Sequence, residues 1–301
     1  MIKARMRLRA ALATSGTIFA LPLTSSAPAQ AAVDPLVGLR GQIAKKHAVR
    51  VVELGGLLAN DLEIFAVEQR GTVRLGGAGV GAADVTRTLR PHRRMQDQIA
   101  EGHWNAEKVA AEAQPNRSIT VNGRLYRSGK LYEPVIPEGK TWAEAGTRSA
   151  ATAAYGDQLI NLFEPATLKT LLAKATAKRP SKYGPRKKAT YYQGTITFKE
   201  LHAVSPTFRA VIGGRSLTAA GHTKISWRFR LDDLGQALML HTNWPLSSGR
   251  QAAVLSQYSH TAARAGRVVA PRPALVAAAS SLTGTLPRPS DLIDLSFRSA
   301  E

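Results

Sequence analysis

Between residues 223 and 231 the chain alternates without a break. Thr223, Ile225, Trp227, Phe229 and Leu231 occupy one parity, and Lys224, Ser226, Arg228 and Arg230 the other. Successive side chains of a strand point to opposite faces, so this pattern requires a strand with one apolar face and one basic face. A strand of that kind belongs in an antiparallel sheet with one side packed and one side wet. Asp232-Asp233-Leu234-Gly235 then supplies turn chemistry, and Leu238, Leu240, Thr242 and Trp244 repeat the same period in the next run. Tyr191 to Phe198 and Ala252 to Tyr258 are sheet-like as well.

The rest of the chain adds strands and a few helices. Asp34-Pro35 is a helix start, with Asp as N-cap and Pro in the first turn, and Leu36, Leu39 and Ile43 then share a face of a helix over residues 35–46. From Ala48 to Leu75, short apolar runs at 49–52, 64–67 and 72–75 are punctuated by Gly55-Gly56 and Gly71, which predicts the short strands of a meander. Residues 92–113 read as amphipathic helix. Ser118 to Val121 and Arg124 to Arg127 flank Asn122-Gly123, the residues a type I′ hairpin turn requires. Lys130 to Trp142 is punctuated by proline, and Glu164-Pro165 is a second helix start, after which Leu168, Leu171 and Leu172 form a stripe. The expected fold class is therefore α+β, a curved antiparallel sheet packed around a few helices, in one domain over residues 32–301.

Composition sets the surroundings. The 301 residues include 41 Lys+Arg against 21 Asp+Glu, a net charge of +20, and no cysteine. That excludes a disulfide framework, a thiol nucleophile, Cys-ligated metal and a lipidated cysteine. The N-terminus carries Lys3, Arg5, Arg7 and Arg9 ahead of an apolar stretch from Ala10 to Leu23, then Ala29-Gln30-Ala31. This is the pattern of a secretory signal peptide cleaved after Ala31. The apolar run falls short of the roughly 20 residues needed to span a bilayer, so a secreted or extracytoplasmic envelope location is expected. Between Lys178 and Lys188 stand six bases, Lys178, Arg179, Lys182, Arg186, Lys187 and Lys188, with Pro180, Gly184 and Pro185 and no acid; these read as an exposed basic loop.

Several segments together resemble a known family. Gly139-Lys-Thr-Trp, Leu162-Phe-Glu-Pro-Ala-Thr-Leu-Lys-Thr-Leu-Leu, Tyr192-Gln-Gly-Thr-Ile, Ile225-Ser-Trp-Arg-Phe-Arg-Leu-Asp-Asp-Leu-Gly and Val269-Ala-Pro-Arg-Pro resemble, in that order, actinobacterial secreted proteins of the LppX/LprG type. These are related in fold to the periplasmic carrier LolA. The match runs over residues 118–276. It implies a half-barrel sheet curled around helices, enclosing an apolar cavity for acyl chains, with no catalytic residues to carry over. Lipoprotein members of the family have a cysteine at the cleavage site, which this chain lacks.

Two classes of function follow. The first is a non-enzymatic binding protein carrying a lipid or other hydrophobic ligand, with Ile225, Trp227, Phe229, Leu238 and Leu240 as candidate cavity residues. The second is an envelope protein that binds anionic polymer or phospholipid headgroups through the six bases of 178–188, aided by Arg87, Arg90, Arg93 and Arg94. Sequence-specific nucleic-acid reading is not expected, because Tyr183 is the basic segment's one aromatic and no reading module surrounds it. Neither a His-Glu-x-x-His nor a Gly-x-Ser-x-Gly motif is present. The glycines of 76–81 miss the dinucleotide spacing, and Gly139-Lys140-Thr141 has Pro134 where a phosphate loop needs its first glycine. The seven histidines never fall at i, i+4, and Asp232-Asp233 is turn chemistry; no catalytic residue, metal site or cofactor is assigned.

Overall fold

Among the described residues, twelve strands form a single open sheet in the order β12-β6-β5-β4-β3-β2-β1-β11-β10-β9-β8-β7. The computed structural model describes residues 33–292 except 60–61, 78, 155, 184–186, 214, 219, 247–248 and 262–265. The chain divides into residues 1–31, which lie outside that description together with the expected leader, and residues 32–301.

The sheet is two meanders joined edge to edge. The first contains β1 (Ala48–Ala59), β2 (Leu62–Gly76), β3 (Gly79–Pro91), β4 (Asn116–Val121), β5 (Arg124–Ser128) and β6 (Trp142–Thr147). The second contains β7 (Ala175–Tyr183), β8 (Lys187–Thr197), β9 (Lys224–Asp232), β10 (Ala237–Pro245) and β11 (Arg250–Thr261). Antiparallel pairing of β1 with β11, from Ala48 opposite Thr261 to Ala59 opposite Arg250, unites them. The short β12 (Val276–Ala277) lies parallel to β6 at the far edge. The helices are α1 (Pro35–Ala44), α2 (Arg93–Ala100), α3 (Ala106–Glu112), α4 (Ala150–Ala154), α5 (Pro165–Ala173), α6 (Phe198–Val204) and α7 (Pro206–Ile212). Thus the fold is α+β with one large curved, mostly antiparallel sheet, as the alternation requires.

Local chemistry accounts for most of the boundaries. Asp34 Oδ1 accepts the backbone N–H groups of Leu36 and Val37 at 2.8 and 3.2 Å, capping α1. Asn122 and Gly123 turn from β4 to β5 with φ of 51° and 76°, the paired positive values of a type I′ turn. Thr197 and Glu200 form a reciprocal capping box at the start of α6.

Three expectations are corrected. Gly55-Gly56 and Gly71 do not divide the first meander into short strands; they lie inside β1 and β2. A Cβ on Gly71 would run into the backbone of Asp84 and Val85 on β3, so this glycine lets two strands approach. The amphipathic stretch over 92–113 is two helices rather than one, because Gly102 takes φ 79° and Asn105 Oδ1 accepts from Lys108 N at 2.8 Å to begin α3. Residues 178–183 and 187–188 of the expected loop are paired strands, with Lys178 opposite Tyr192 and Lys182 opposite Lys188. Pro180 and the charges that suggested a loop are the residues that protect an exposed edge strand, and β7 is the last strand of the sheet.

The curved inner face is filled along much of its width. Residues 157–164, Asp-Gln-Leu-Ile-Asn-Leu-Phe-Glu, have no regular secondary structure, yet every one of them is buried. Side chains supply the partners that a helix or sheet would have given this backbone. Asp157 N donates to Glu53 Oε1 at 2.9 Å, Phe163 N donates to Asn161 Oδ1 at 2.9 Å, and Asn161 Nδ2 donates to Thr207 Oγ1 at 3.0 Å. The strap ends on Glu164, whose buried carboxylate accepts from Thr167 Oγ1, Ser205 Oγ, Thr207 N and Thr207 Oγ1 at 2.5–2.8 Å.

Candidate functional site: an arginine-lined cavity under the first meander

Registered rows across the inner face locate the site. One row runs Tyr192, Phe229, Leu240, Ser256, Glu53, Gln69, Arg87, Asn116 over eight adjacent strands from β8 to β4. It begins aromatic, becomes polar at the seam between the meanders, and ends charged. A neighbouring row continues Val85, Ser118, Arg127 over β3 to β5. Where the rows turn polar, the strap gives way to a cavity of about 630 Å³. That lies within the range of roughly 300–1,000 Å³ typical of pockets that enclose small molecules.

Its floor is Gln69, Val85, Arg87, Asn116, Ser118, Leu125 and Arg127 from β2 to β5. The walls are Glu112 of α3, Leu131 and Tyr132, Arg148 and Thr152 by α4, the C-terminal end of α7 through Gly213 with Arg215, and Arg288, Pro289 and Asp291 near the end of the described chain. The lining therefore carries five guanidinium groups against the two carboxylates Glu112 and Asp291. Apolar groups from Val85, Leu125, Leu131, Val211 and Ile212 lie among them.

The arginines differ in how far they are already engaged. Arg87 is committed: its Nη2 donates to Asp157 Oδ2 at 3.3 Å and to the Ser290 carbonyl, and its Nη1 lies 3.9 Å from Glu112 Oε2. Glu112 Oε1 in turn accepts from Ser290 N and Oγ at 3.0 and 3.1 Å, so this ion pair also anchors the wall from the C-terminal segment. Arg215 Nη1 donates to the last carbonyls of α7, Val211 and Ile212, at 3.1 and 3.0 Å. Arg127 Nη1 donates to the Tyr132 hydroxyl at 2.9 Å with its guanidinium 5.3 Å from the ring centre, while its Nε is buried without a hydrogen-bond partner. Burial raises the Tyr132 phenol above its usual range despite the Arg127 charge, so Tyr132 stays neutral and can donate in turn. Arg148 and Arg288 stand exposed at the rim.

Beneath the cavity, Glu53 is 1% exposed and its carboxyl is pushed up to about 7, first by burial and then by the nearby Asp157. Asp157 Oδ1 accepts from Leu292 N at 2.7 Å. Glu53, Asp157 and Arg87 thus tie the strap, the sheet and the C-terminal segment together at the seam.

None of the five expected cavity residues lines this space. Ile225, Trp227, Phe229, Leu238 and Leu240 are at most 2% exposed and sit under the second meander. There Tyr192 stacks on Phe229 at 5.0 Å, and Phe229 on Trp227 at 5.3 Å. Gly194 makes room for the stack: a Cβ there would lie 2.5 Å from Trp227 Cζ2. The expected anionic-surface residues Lys178, Arg179, Lys182 and Lys188 are exposed on the β7–β8 hairpin, far in sequence from the cavity lining. Arg186 and the side chain of Lys187 lie outside the described residues. The Arg87, Arg90, Arg93, Arg94 group is divided, since Arg87 points inward while Arg90 pairs with Glu68 on the outer face. The lining arginines come from separate segments, but one signal was present: Leu125 and Arg127 share a parity, placing an arginine on the packed face of a hairpin.

Among the described residues no three His, Asp or Glu side chains gather as a metal-binding group, and no helix is long and apolar enough to cross a membrane. No protein-family model matches the chain, and no curated protein matches it in sequence. Among solved structures, it is similar to a LolA superfamily protein from Nitrosomonas europaea at 10% identity and a TM-score of 0.24, covering 77% of this chain and 92% of that one. It is also similar to a DUF1329 family protein from Desulfovibrio piger at 6% identity and a TM-score of 0.22, covering 75% and 92%. At these TM-scores the likeness carries no functional assignment.

Proposed function

We propose that the chain is a non-enzymatic binding protein, exported through the leader at residues 1–31, that holds an amphiphilic anion in the cavity under the first meander. The supporting observation is the lining itself, in which five arginines surround a space that also presents Val85, Leu125, Leu131, Val211 and Ile212. A purely apolar ligand would leave the guanidinium groups of the lining without an anionic partner, and a small hydrophilic anion would leave the apolar wall without one. A carboxylate or phosphate ester attached to an acyl or other apolar body satisfies both. Its head would meet Arg127 from below and Arg148 and Arg288 from the rim, with Tyr132 available as a neutral donor; its body would lie along Leu125, Leu131 and Ile212.

Titration with a fluorescent fatty acid tests this. The wild-type chain is expected to take up the probe and to release it when unlabelled fatty acid is added. Arg127→Met is expected to weaken uptake by about 10- to 100-fold, the equivalent of one charge-assisted hydrogen bond at roughly 1.5–3 kcal/mol, with little change in folding. Absence of uptake, together with a ligand-free mass for protein purified from its own host, would refute the reading.

A further inference from the structure

Among the described residues, the outer face of the second meander carries cations that form no ion pair with an acid. Lys224, Arg228 and Arg230 alternate outward along β9, with Arg179 beyond them on β7 and Arg50 on β1. Ion pairs among the described residues leave these five out, whereas on the first meander Arg70 and Arg90 pair with Glu68, Arg117 with Asp84 and Arg124 with Glu144. Asp232, at the end of β9, is occupied within its own turn, accepting from Leu234 N and Gln236 N at 3.0 and 2.8 Å, and Glu68, which faces Leu54 from β2, is taken up by Arg70 and Arg90. Tyr191 lies between Arg179 and Arg230, at 4.7 and 5.9 Å from its ring centre, which holds two of the charges in place.

Apolar side chains stand beside the cations in register. Arg228 faces His241, His241 faces Leu255, and Leu255 faces Leu54, which is 46% exposed; the next row sets Met239 and Val52 beyond Arg230. Fixed cations next to exposed aliphatic groups match a surface that is anionic at its headgroups and apolar just beneath them. A hydrophilic polyanion would match the charges but not Leu54. We propose that the outer face of β8 to β11, with Arg50 and Leu54 of β1, docks on an anionic lipid bilayer. The cavity opens on the other side of the sheet, so this proposal and the ligand reading fail independently.

His241 gives an internal reporter. It is half-buried beside Arg228, flanked by Leu255 on its other side, and burial with the Arg228 charge lowers it to about 4. A negative surface over Arg228 offsets that charge, so docking is expected to raise the His241 titration.

The test is co-sedimentation of the full chain with vesicles of phosphatidylcholine alone and of phosphatidylcholine with phosphatidylglycerol. Binding is expected to the anionic vesicles only and to weaken with added salt. Each cation near such a surface is worth about a fivefold change in affinity. The triple variant Lys224→Gln/Arg228→Gln/Arg230→Gln should therefore lose about a hundredfold, while Lys45→Gln/Lys130→Gln/Lys169→Gln, equal in charge removed, should lose far less. Leu54→Ser should weaken binding to vesicles without altering retention on immobilised wall teichoic acid, a polyanion with no acyl chain. Equal losses from both triple variants, or retention on wall teichoic acid with no vesicle binding, would overturn the proposal. If the first triple variant fails to fold, the wild-type His241 resonance decides: a titration unmoved by anionic vesicles that bind the chain overturns it.

Discussion

The two meanders use the same sheet in opposite ways. Under β8 to β10 the inner face is packed with Tyr192, Phe229, Trp227 and Trp244, and the outer face carries unpaired cations. Under β3 to β5 the inner face turns arginines toward a cavity, and the outer arginines are paired with Glu68, Asp84 and Glu144. Charge and space have in effect exchanged sides across the seam at β1 and β11. The difference teaches that an open half-barrel need not be open along its whole width. One half can be stabilised as an ordinary core while the other, relieved of that task, can keep buried guanidinium groups and empty volume.

Truncation should separate the halves most clearly. Phe229 is fully buried in the aromatic stack, so Phe229→Ala removes apolar burial and leaves a void, at a cost of about 3–5 kcal/mol. Leu125 is also buried, but it already borders the cavity. Leu125→Ala enlarges an existing space instead of opening a new one, so its cost should fall at the low end for such changes, about 2 kcal/mol. Urea unfolding measures both, and equal costs would erase the distinction between packed and open halves.

The seam should show itself in pH dependence. Glu53 is held up at about 7 against an ordinary 4.5, so the folded chain binds more protons than the unfolded one between those values. Its contribution to stability is complete below pH 4.5 and is lost as pH rises through 7. Glu53→Gln keeps an oxygen for the Asp157 N–H and has no charge to bury. Relative to wild type, the variant should gain on the order of 3 kcal/mol between pH 4.5 and pH 8. His241 works in the other direction and in a lower window: held at about 4 against an ordinary 6.5, it withdraws stability as pH falls from 6.5 through 4. Comparing unfolding of wild type, Glu53→Gln and His241→Gln across pH 4–8 assigns each slope to its group.

How much of this was legible in the sequence depends on how local the cause is. Alternation at Thr223 to Leu231, the Asn122-Gly123 turn and the Asp34 and Glu164 helix starts act within a few residues, and all appear in the structure. The β7–β8 hairpin was hidden because Pro180 and its lysines have a loop's composition, and only position at the sheet edge makes them compatible with a strand. Pairing of β1 with β11 joins residues about 200 apart, which no local pattern encodes. The strap at 157–164 was missed for a related reason. Its polar side chains satisfy its own buried backbone, so a segment with no periodicity lies at the centre of the molecule and decides which half is filled. Hence the five apolar residues of β9 and β10 could be predicted to face inward, but not to lie apart from the cavity under the first meander.

The smallest effects belong to the outer face, where the contrast between paired and unpaired cations can be read directly. Arg117 reaches Asp84 with two hydrogen bonds, Nε to Oδ1 at 2.8 Å and Nη2 to Oδ2 at 2.7 Å, and lies 5.6 Å from the Trp142 ring centre. Such a bidentate pair at a half-exposed position is worth up to about 1 kcal/mol. Arg228 has neighbouring cations and no acid, so its charge is a small liability to the isolated chain. Arg117→Gln should lower the urea midpoint and lose less when salt screens the pair. Arg228→Gln should leave the midpoint unchanged or raise it slightly, with that gain also fading in salt. The opposite signs matter more than the sizes. If removing Arg228 destabilised the free protein as much as removing Arg117, its charge would have a structural role, and the unpaired face would lose its distinction from the paired one.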